Sequence, residues 1–143
     1  MSEQNKAIER RLTEEAWNKG NLAVVDELVA PNFVDHNAPP GLPPGAEGQK
    51  AFIKMYREAF PDAHVTIHDL LADGDKVISR WTGSGTHHGT LFGIPATGKK
   101  VSIEGITIDR FSESKIVESW NIFDQLGMMQ QIGVIPSPGQ GAS

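Results

Sequence analysis

The chain has no cysteine among its 143 residues, which excludes disulfide frameworks and thiolate chemistry. No apolar run is long enough to span a membrane, and Met1-Ser-Glu-Gln-Asn5 lacks the basic-then-apolar order of a secretory leader. Basic residues are not in excess either. With 13 Lys and Arg against 18 Asp and Glu, the net charge of −5 argues against nucleic acid or an anionic membrane as partner. No internal repeat is visible. The length suits one domain with a real core and is short for two. What remains is a cytoplasmic enzyme or a small-molecule-binding protein.

Apolar periodicity divides the chain into a helical front and a stranded back. Ile8, Leu12, Ala16 and Trp17 recur at helical spacing with Gly20 as a stop, predicting a first helix over roughly 4–19. Leu22, Val25, Leu28 and Val29 predict a shorter second helix that ends before Pro31. Ala38-Pro-Pro-Gly-Leu-Pro-Pro-Gly-Ala46 holds too much proline and glycine for a regular element and reads as a stiff loop or lid. Phe52, Met55, Tyr56, Ala59 and Phe60 trace one face of a third helix. From His64 the period is two. Val65, Ile67 and Asp69 alternate towards the turn signal Asp73-Gly74. A strand from about Lys76 to His87 then puts Val77, Ser79, Trp81, Gly83, Gly85 and His87 on one side. Its glycines predict a bulge or a close approach by another group. After a loop over 89–98 and a second hairpin, Leu126, Met128, Met129 and Ile132 permit a short closing helix.

Residues 1–135 thus form one domain and 136–143 a flexible Pro/Gly/Ser tail. Helices before strands imply an α+β domain, with three N-terminal helices covering one face of a strongly curved antiparallel sheet. Such a cone has a mouth suited to a small apolar ligand.

The second hairpin carries the chemistry. With Glu113, Ser114 and Lys115 as its loop, Arg110 faces Glu118, Ile108 faces Trp120 and Glu104 faces Asp124. These even-numbered residues share one face: an ion pair by the turn, an apolar middle and two carboxylates at the open end. Like charges directly opposite are unfavourable, so one carboxyl keeping its proton would make an acid/base site. Asp124 is the first candidate. Trp120, Ile122 and Phe123 would desolvate it and Glu104 would repel its charge, and both effects raise a carboxyl pKa. Its competing role is N-cap of the closing helix. The odd face offers Asn121 opposite Thr107, with Ile103, Ser119 and Phe123: an amide and a hydroxyl in place of an acid and a base.

Several segments resemble those of the SnoaL-like polyketide cyclases, also described as ester cyclases. They are Asn32-Phe-Val-Asp-His36, Ala51-Phe-Ile-Lys-Met-Tyr-Arg-Glu-Ala-Phe-Pro-Asp62, Gly85-Thr-His-His-Gly89, Gly93-Ile-Pro-Ala-Thr-Gly-Lys99 and Lys115-Ile-Val-Glu-Ser-Trp120, continuing through Gln131-Ile-Gly133. They follow the family's order over nearly the whole chain. The resemblance implies the cone fold of nuclear transport factor 2-like, or ketosteroid isomerase-like, proteins, usually as a homodimer. It implies ring closure in an aromatic polyketide by an intramolecular aldol reaction, without metal or cofactor. It carries the family's acid/base aspartate to the residue directly after the tryptophan or four places on, here Asn121 or Asp124. It also implies a pocket histidine at His36.

On this reading Asp124 is acid/base towards a small apolar or aromatic carbonyl compound, and His36 or His87 polarises the carbonyl. Trp81 and Trp120 offer flat apolar surfaces, Tyr56 a hydroxyl, and Glu104 and Asn121 polar contacts. Arg110 with Glu118 is mainly structural. His64 and His68 share a strand face without a carboxylate frame, and His87 and His88 point to opposite faces. Neither pair makes a metal site. Two alternatives share the fold: an epoxide or ester hydrolase in which Glu104 and Asp124 activate water, and a non-catalytic small-molecule-binding dimer module.

Overall fold

The stripe Ile8–Leu12–Ala16 forms helix α1 (Ser2–Leu12), which widens into a π-helical turn over Thr13–Asn18. Gly20, at φ +75°, then stops it in the left-handed region that glycine adopts without strain. Helix α2 (Ala23–Leu28) ends before Pro31. In the computed structural model, residues 2–135 are described; the tail expected at 136–143 lies outside them.

The next segment corrects the sequence reading. Val29–Asp35 is a strand, β1, paired parallel to the last strand, so the sheet is mixed rather than purely antiparallel. Only Val29, Ala30 and Phe33 of it are buried, which is not a period of two. Pro31 is tolerated because β1 lies at the sheet edge. The proline-rich loop therefore joins a strand to helix α3 (Gly45–Ala59).

Four longer strands follow: β2 (His64–Asp73), β3 (Lys76–Thr86), β4 (Lys100–Ser112) and β5 (Lys115–Phe123). Helix α4 (Gln125–Gln131) closes the chain where Leu126, Met128, Met129 and Ile132 permit one, so that with the three N-terminal helices there are four α-helices among the described residues. The sheet order is β1-β5-β4-β3-β2. One apolar cluster joins α1, α2, α3 and β1 to the sheet through Leu12, Ala16, Val25, Phe33, Ile53 and Ile116. A second gathers Phe60, Leu91, Val101, Met128 and Ile132.

Two bulges decide which side chains face these helices. On β2, His68 is the extra residue between the pairs Ile67–Trp81 and Asp69–Arg80. Val65 and Ile67 face inward before it, Leu70 and Ala72 after it. Asp69 instead turns out to Arg80 Nε at 2.6 Å. On β5, the turn is Glu113-Ser114, both left-handed at φ +52° and +64°, as a tight two-residue hairpin demands. Lys115 is already paired with Ser112, and Val117 is the extra residue between the pairs Phe111–Ile116 and Arg110–Glu118. Shorter turn and extra residue cancel, so Ile108 faces Trp120 and Arg110 faces Glu118 as the sequence predicts.

Candidate active site

A cavity of about 150 Å³ lies between the helices and the inner face of the sheet, walled by residues of both apolar clusters. The odd face of the hairpin lines it, through Val101, Ile103, Thr107, Asp109, Ser119, Asn121 and Phe123. Trp17 and Thr13 enter from the π-helical turn, and Phe52, Tyr56 and Phe60 from α3 and its end. Burial pushes the Tyr56 phenol up to about 12, so it stays a neutral donor at neutral pH.

Glycine lets Trp81 lie flat on the sheet. Trp81 pairs with Gly105 across the strands, and a Cβ on Gly105 would sit 2.3 Å from the indole Cζ2. The close approach expected at the β3 glycines is found too: a Cβ on Gly83 would meet Trp81 at 3.2 Å, and one on Gly85 would meet Phe60 at 2.9 Å. So placed, the indole Nε1 donates to Thr107 Oγ1 at 2.9 Å, and that hydroxyl donates to Asn121 Oδ1 at 3.1 Å. Trp81 can only donate, and with Oδ1 accepting from Thr107 the Asn121 amide keeps its Nδ2 hydrogens as free donors. The Asn121 backbone is held by Asn37 Oδ1, which accepts from its N–H at 2.7 Å.

One rung further along the same ladder, Asp109 faces Ser119. Glu9 of α1 descends onto this rung, and its carboxyl lies against that of Asp109 in the cavity wall. Both are fully inside the protein; Glu9 is 6% exposed. Burial pushes Glu9 well above the ordinary carboxyl range, and the neighbouring Asp109 charge adds to this. Burial also pushes Asp109 up, against hydrogen bonds from Glu9 and Ser119 that pull it down. Asp35, at the end of β1, is raised by its own partial burial. No Lys or Arg lines the cavity among the described residues.

Of the residues expected to form the site, Trp81, Tyr56 and Asn121 do line the cavity, and the others do not. Asp124 is exposed and caps α4, its Oδ1 accepting from Gly127 N at 2.8 Å. Glu104 is exposed on the outer face, so the water-activating pair assigned to the hydrolase alternative is not in the cavity. His36 is outside as well. Its Nε2 bonds Glu118 Oε2 at 2.7 Å, and its ring stacks on Trp120 with centroids 4.8 Å apart. Arg110 Nε donates to the same Glu118 carboxylate at 2.5 Å, so the expected cross-strand pair is present. His87 is completely buried against Phe60, with Nδ1 accepting from Thr97 N at 3.3 Å. His68 spends its Nε2 on Thr82 Oγ1 at 2.7 Å. The physical reason is common to most of these: the even face of the hairpin turns away from the helices.

Glu9 and Asp109 were not singled out in the sequence, though a signal existed. Asn5, Glu9, Leu12 and Ala16 form one helical stripe, and all four are buried. A carboxylate in the middle of a buried stripe is rare enough to mark a site.

An α+β cone enclosing a mostly apolar cavity with a few convergent polar groups defines a small-molecule site. Comparison with known proteins gives the family. The model for the SnoaL-like polyketide cyclase domain matches residues 7–132, and the chain belongs to that family. It is 32% identical over 139 residues to aklanonic acid methyl ester cyclase DnrD of Streptomyces peucetius, covering 93% of this chain and 92% of that protein. Aklanonic acid methyl ester cyclase DauD of Streptomyces sp. (strain C5) matches at 32% identity over 93% of this chain and 83% of its own. Among solved structures, TsrD from Streptomyces laurentii has a TM-score of 0.82 at 31% identity, over 90% of this chain and 97% of that one. Of the two positions to which the family's acid/base aspartate could be carried, the one facing the cavity is Asn121, an amide.

Proposed function

We propose that this chain is a cofactor-independent cyclase-type enzyme that closes a ring in a small, largely apolar aromatic carbonyl compound by an intramolecular aldol reaction. The observation that carries the reading is the hydrogen-bond chain from Trp81 through Thr107 to Asn121, which holds an amide side chain in the wall of an aromatic-lined cavity. Enolate formation needs such a fixed donor where negative charge develops. The names of the relatives at 32% identity support the substrate class. Aklanonic acid methyl ester is therefore the first compound to offer. Asn121→Ala is expected to lower kcat about 10²-fold with the fold intact by circular dichroism. Wild-type turnover in that variant, or no ring closure by the native protein on anthraquinone-type β-keto esters, ends this reading.

The same reading includes a homodimer formed through the outer sheet face. Ile106 and Ile122 face each other there, 49% and 72% exposed, beside the Ile108–Trp120 pair. Two such faces together would remove this apolar patch from water. A cytoplasmic setting belongs to the same proposal; among the described residues no helix is long and apolar enough to cross a membrane.

A further inference from the structure

If the cavity-facing residue after Trp120 is an amide, the acid/base group must come from elsewhere in the wall. We propose that Glu9 and Asp109 form a proton-sharing carboxyl dyad that does the acid/base work of this cavity, Asp109 as the base and Glu9 as the holder of the shared proton. The inference rests on the cyclase reading for its reaction and on independent geometry for its site. The two side chains come from different elements, α1 and β4, and meet inside the cavity wall. Glu9 Oε2 is buried without a hydrogen-bond partner among the described residues, and a buried polar atom left unpaired asks for a ligand group. Asp109 also accepts from Ser119.

The remaining titratable groups around the dyad are Asp35 from β1, Tyr56 from α3 and His64 from β2. Asp35 adds like charge and Tyr56 is neutral, so nothing basic there competes for the proton except His64, which is exposed. Two carboxyls in such a setting keep one proton between them. The Thr107–Asn121 rung is two residues from the Asp109–Ser119 rung, about 7 Å along the strands. A carbonyl whose oxygen rests on the Asn121 amide can therefore present its α-carbon to Asp109.

The step balances within the substrate and the dyad. The α C–H bond breaks, its proton passes to Asp109 and its electron pair enters the enolate. The enolate carbon attacks the second carbonyl of the same molecule, forming the C–C bond and placing the π electrons on that oxygen as alkoxide. The dyad then returns a proton to the alkoxide, ready for another turnover.

Three measurements test this, with Glu9→Gln and Asp109→Asn as near-isosteric variants. First, carboxyl carbon NMR of the free protein should show Glu9 and Asp109 titrating as one coupled pair, with at least one step above the ordinary acid range. Independent titration of both within that range overturns the dyad. Second, deuterium exchange at the α-carbon of a simple β-keto ester reads proton removal without ring closure. Asp109→Asn should slow it about 10²-fold or more; equal rates in variant and wild type, or no exchange by wild type, overturn the proposal. Third, Glu9→Gln keeps a neutral donor beside Asp109, so the exchange rate should keep its acid limb and lose its alkaline one. An unchanged profile reduces Glu9 to a packing role and overturns its part. Exchange without ring closure would sink the cyclase reading alone and leave the dyad standing.

Discussion

Asp124 holds the start of α4 by accepting from the Gly127 amide, and a Cβ on Gly127 would fall 2.1 Å from its Oδ2. This is the work of an N-cap, which supplies one of the amide bonds that a helix start cannot make for itself. Asp124→Ala is expected to cost about 1 kcal/mol of stability and to leave turnover at the wild-type level; a hundredfold loss of rate at unchanged stability would return this residue to the chemistry. The two roles weighed for Asp124 could not be separated from sequence, because both need an acidic residue between a strand and a helix. Asn121 was easier to pair than to interpret. Strand alternation put it opposite Thr107, yet which face looks inward depends on where the helices pack, and no local pattern holds that information.

At the scale of elements, the hairpin was the most legible part of the chain and α1 the least. Cross-strand partners such as Ile108–Trp120 come out as the sequence predicts because the shorter turn and the extra Val117 offset each other. The parallel edge strand β1 was hidden because its pairing with β5 is non-local and its burial does not alternate. Glu9 was hidden differently: within α1 it stands among Glu3, Lys6 and Arg10, and a charged helix residue ordinarily faces water. Its burial against β4 has a thermodynamic signature. A carboxyl raised in the folded state binds a proton that the unfolded chain releases. Its stabilisation is therefore fully present below the ordinary glutamic range and is lost as pH rises from there through the raised value. Glu9→Gln removes this slope. Its Tm should nearly match wild type in mild acid and exceed it at about pH 8, by roughly 2–4 °C for each kcal/mol recovered. Parallel Tm curves across that range would mean that Glu9 is not buried as described. Function and stability are then opposed at this residue, a common condition of active sites.

For the whole molecule, the sheet presents two different faces. Its inner face holds the cavity, and its outer face carries Ile106, Ile122 and the Trp120–His36 stack beside an Arg110–Glu118–His36 charge cluster. Hydrogen bonds from His36 and then Arg110 keep the Glu118 carboxyl below its usual range, so it stays ionised at neutral pH and orients both partners. Ile122→Glu should convert a dimer to monomers in sedimentation experiments while the cavity stays intact; a native protein that sediments as a monomer at micromolar concentration would remove the dimer. The cone class and the family were legible throughout the chain, because they depend on element order and on segments spread along it. The site was legible only in part, because the sequence offers both faces of the hairpin and does not say which one the helices cover.

Val117 is where that assignment is physically made. Ile116 points into the cavity and so do Ser119, Asn121 and Phe123, although one is even and the rest are odd. Were Val117 to take its own place in the ladder instead of bulging from it, every side chain beyond it would change sides. Indole and isoleucine would be driven into the cup and the amide out of it, with no letter of the chain altered. A cavity wall and an exposed apolar patch are thus written on the two surfaces of one ribbon, and a single bulged amino acid keeps them from trading places.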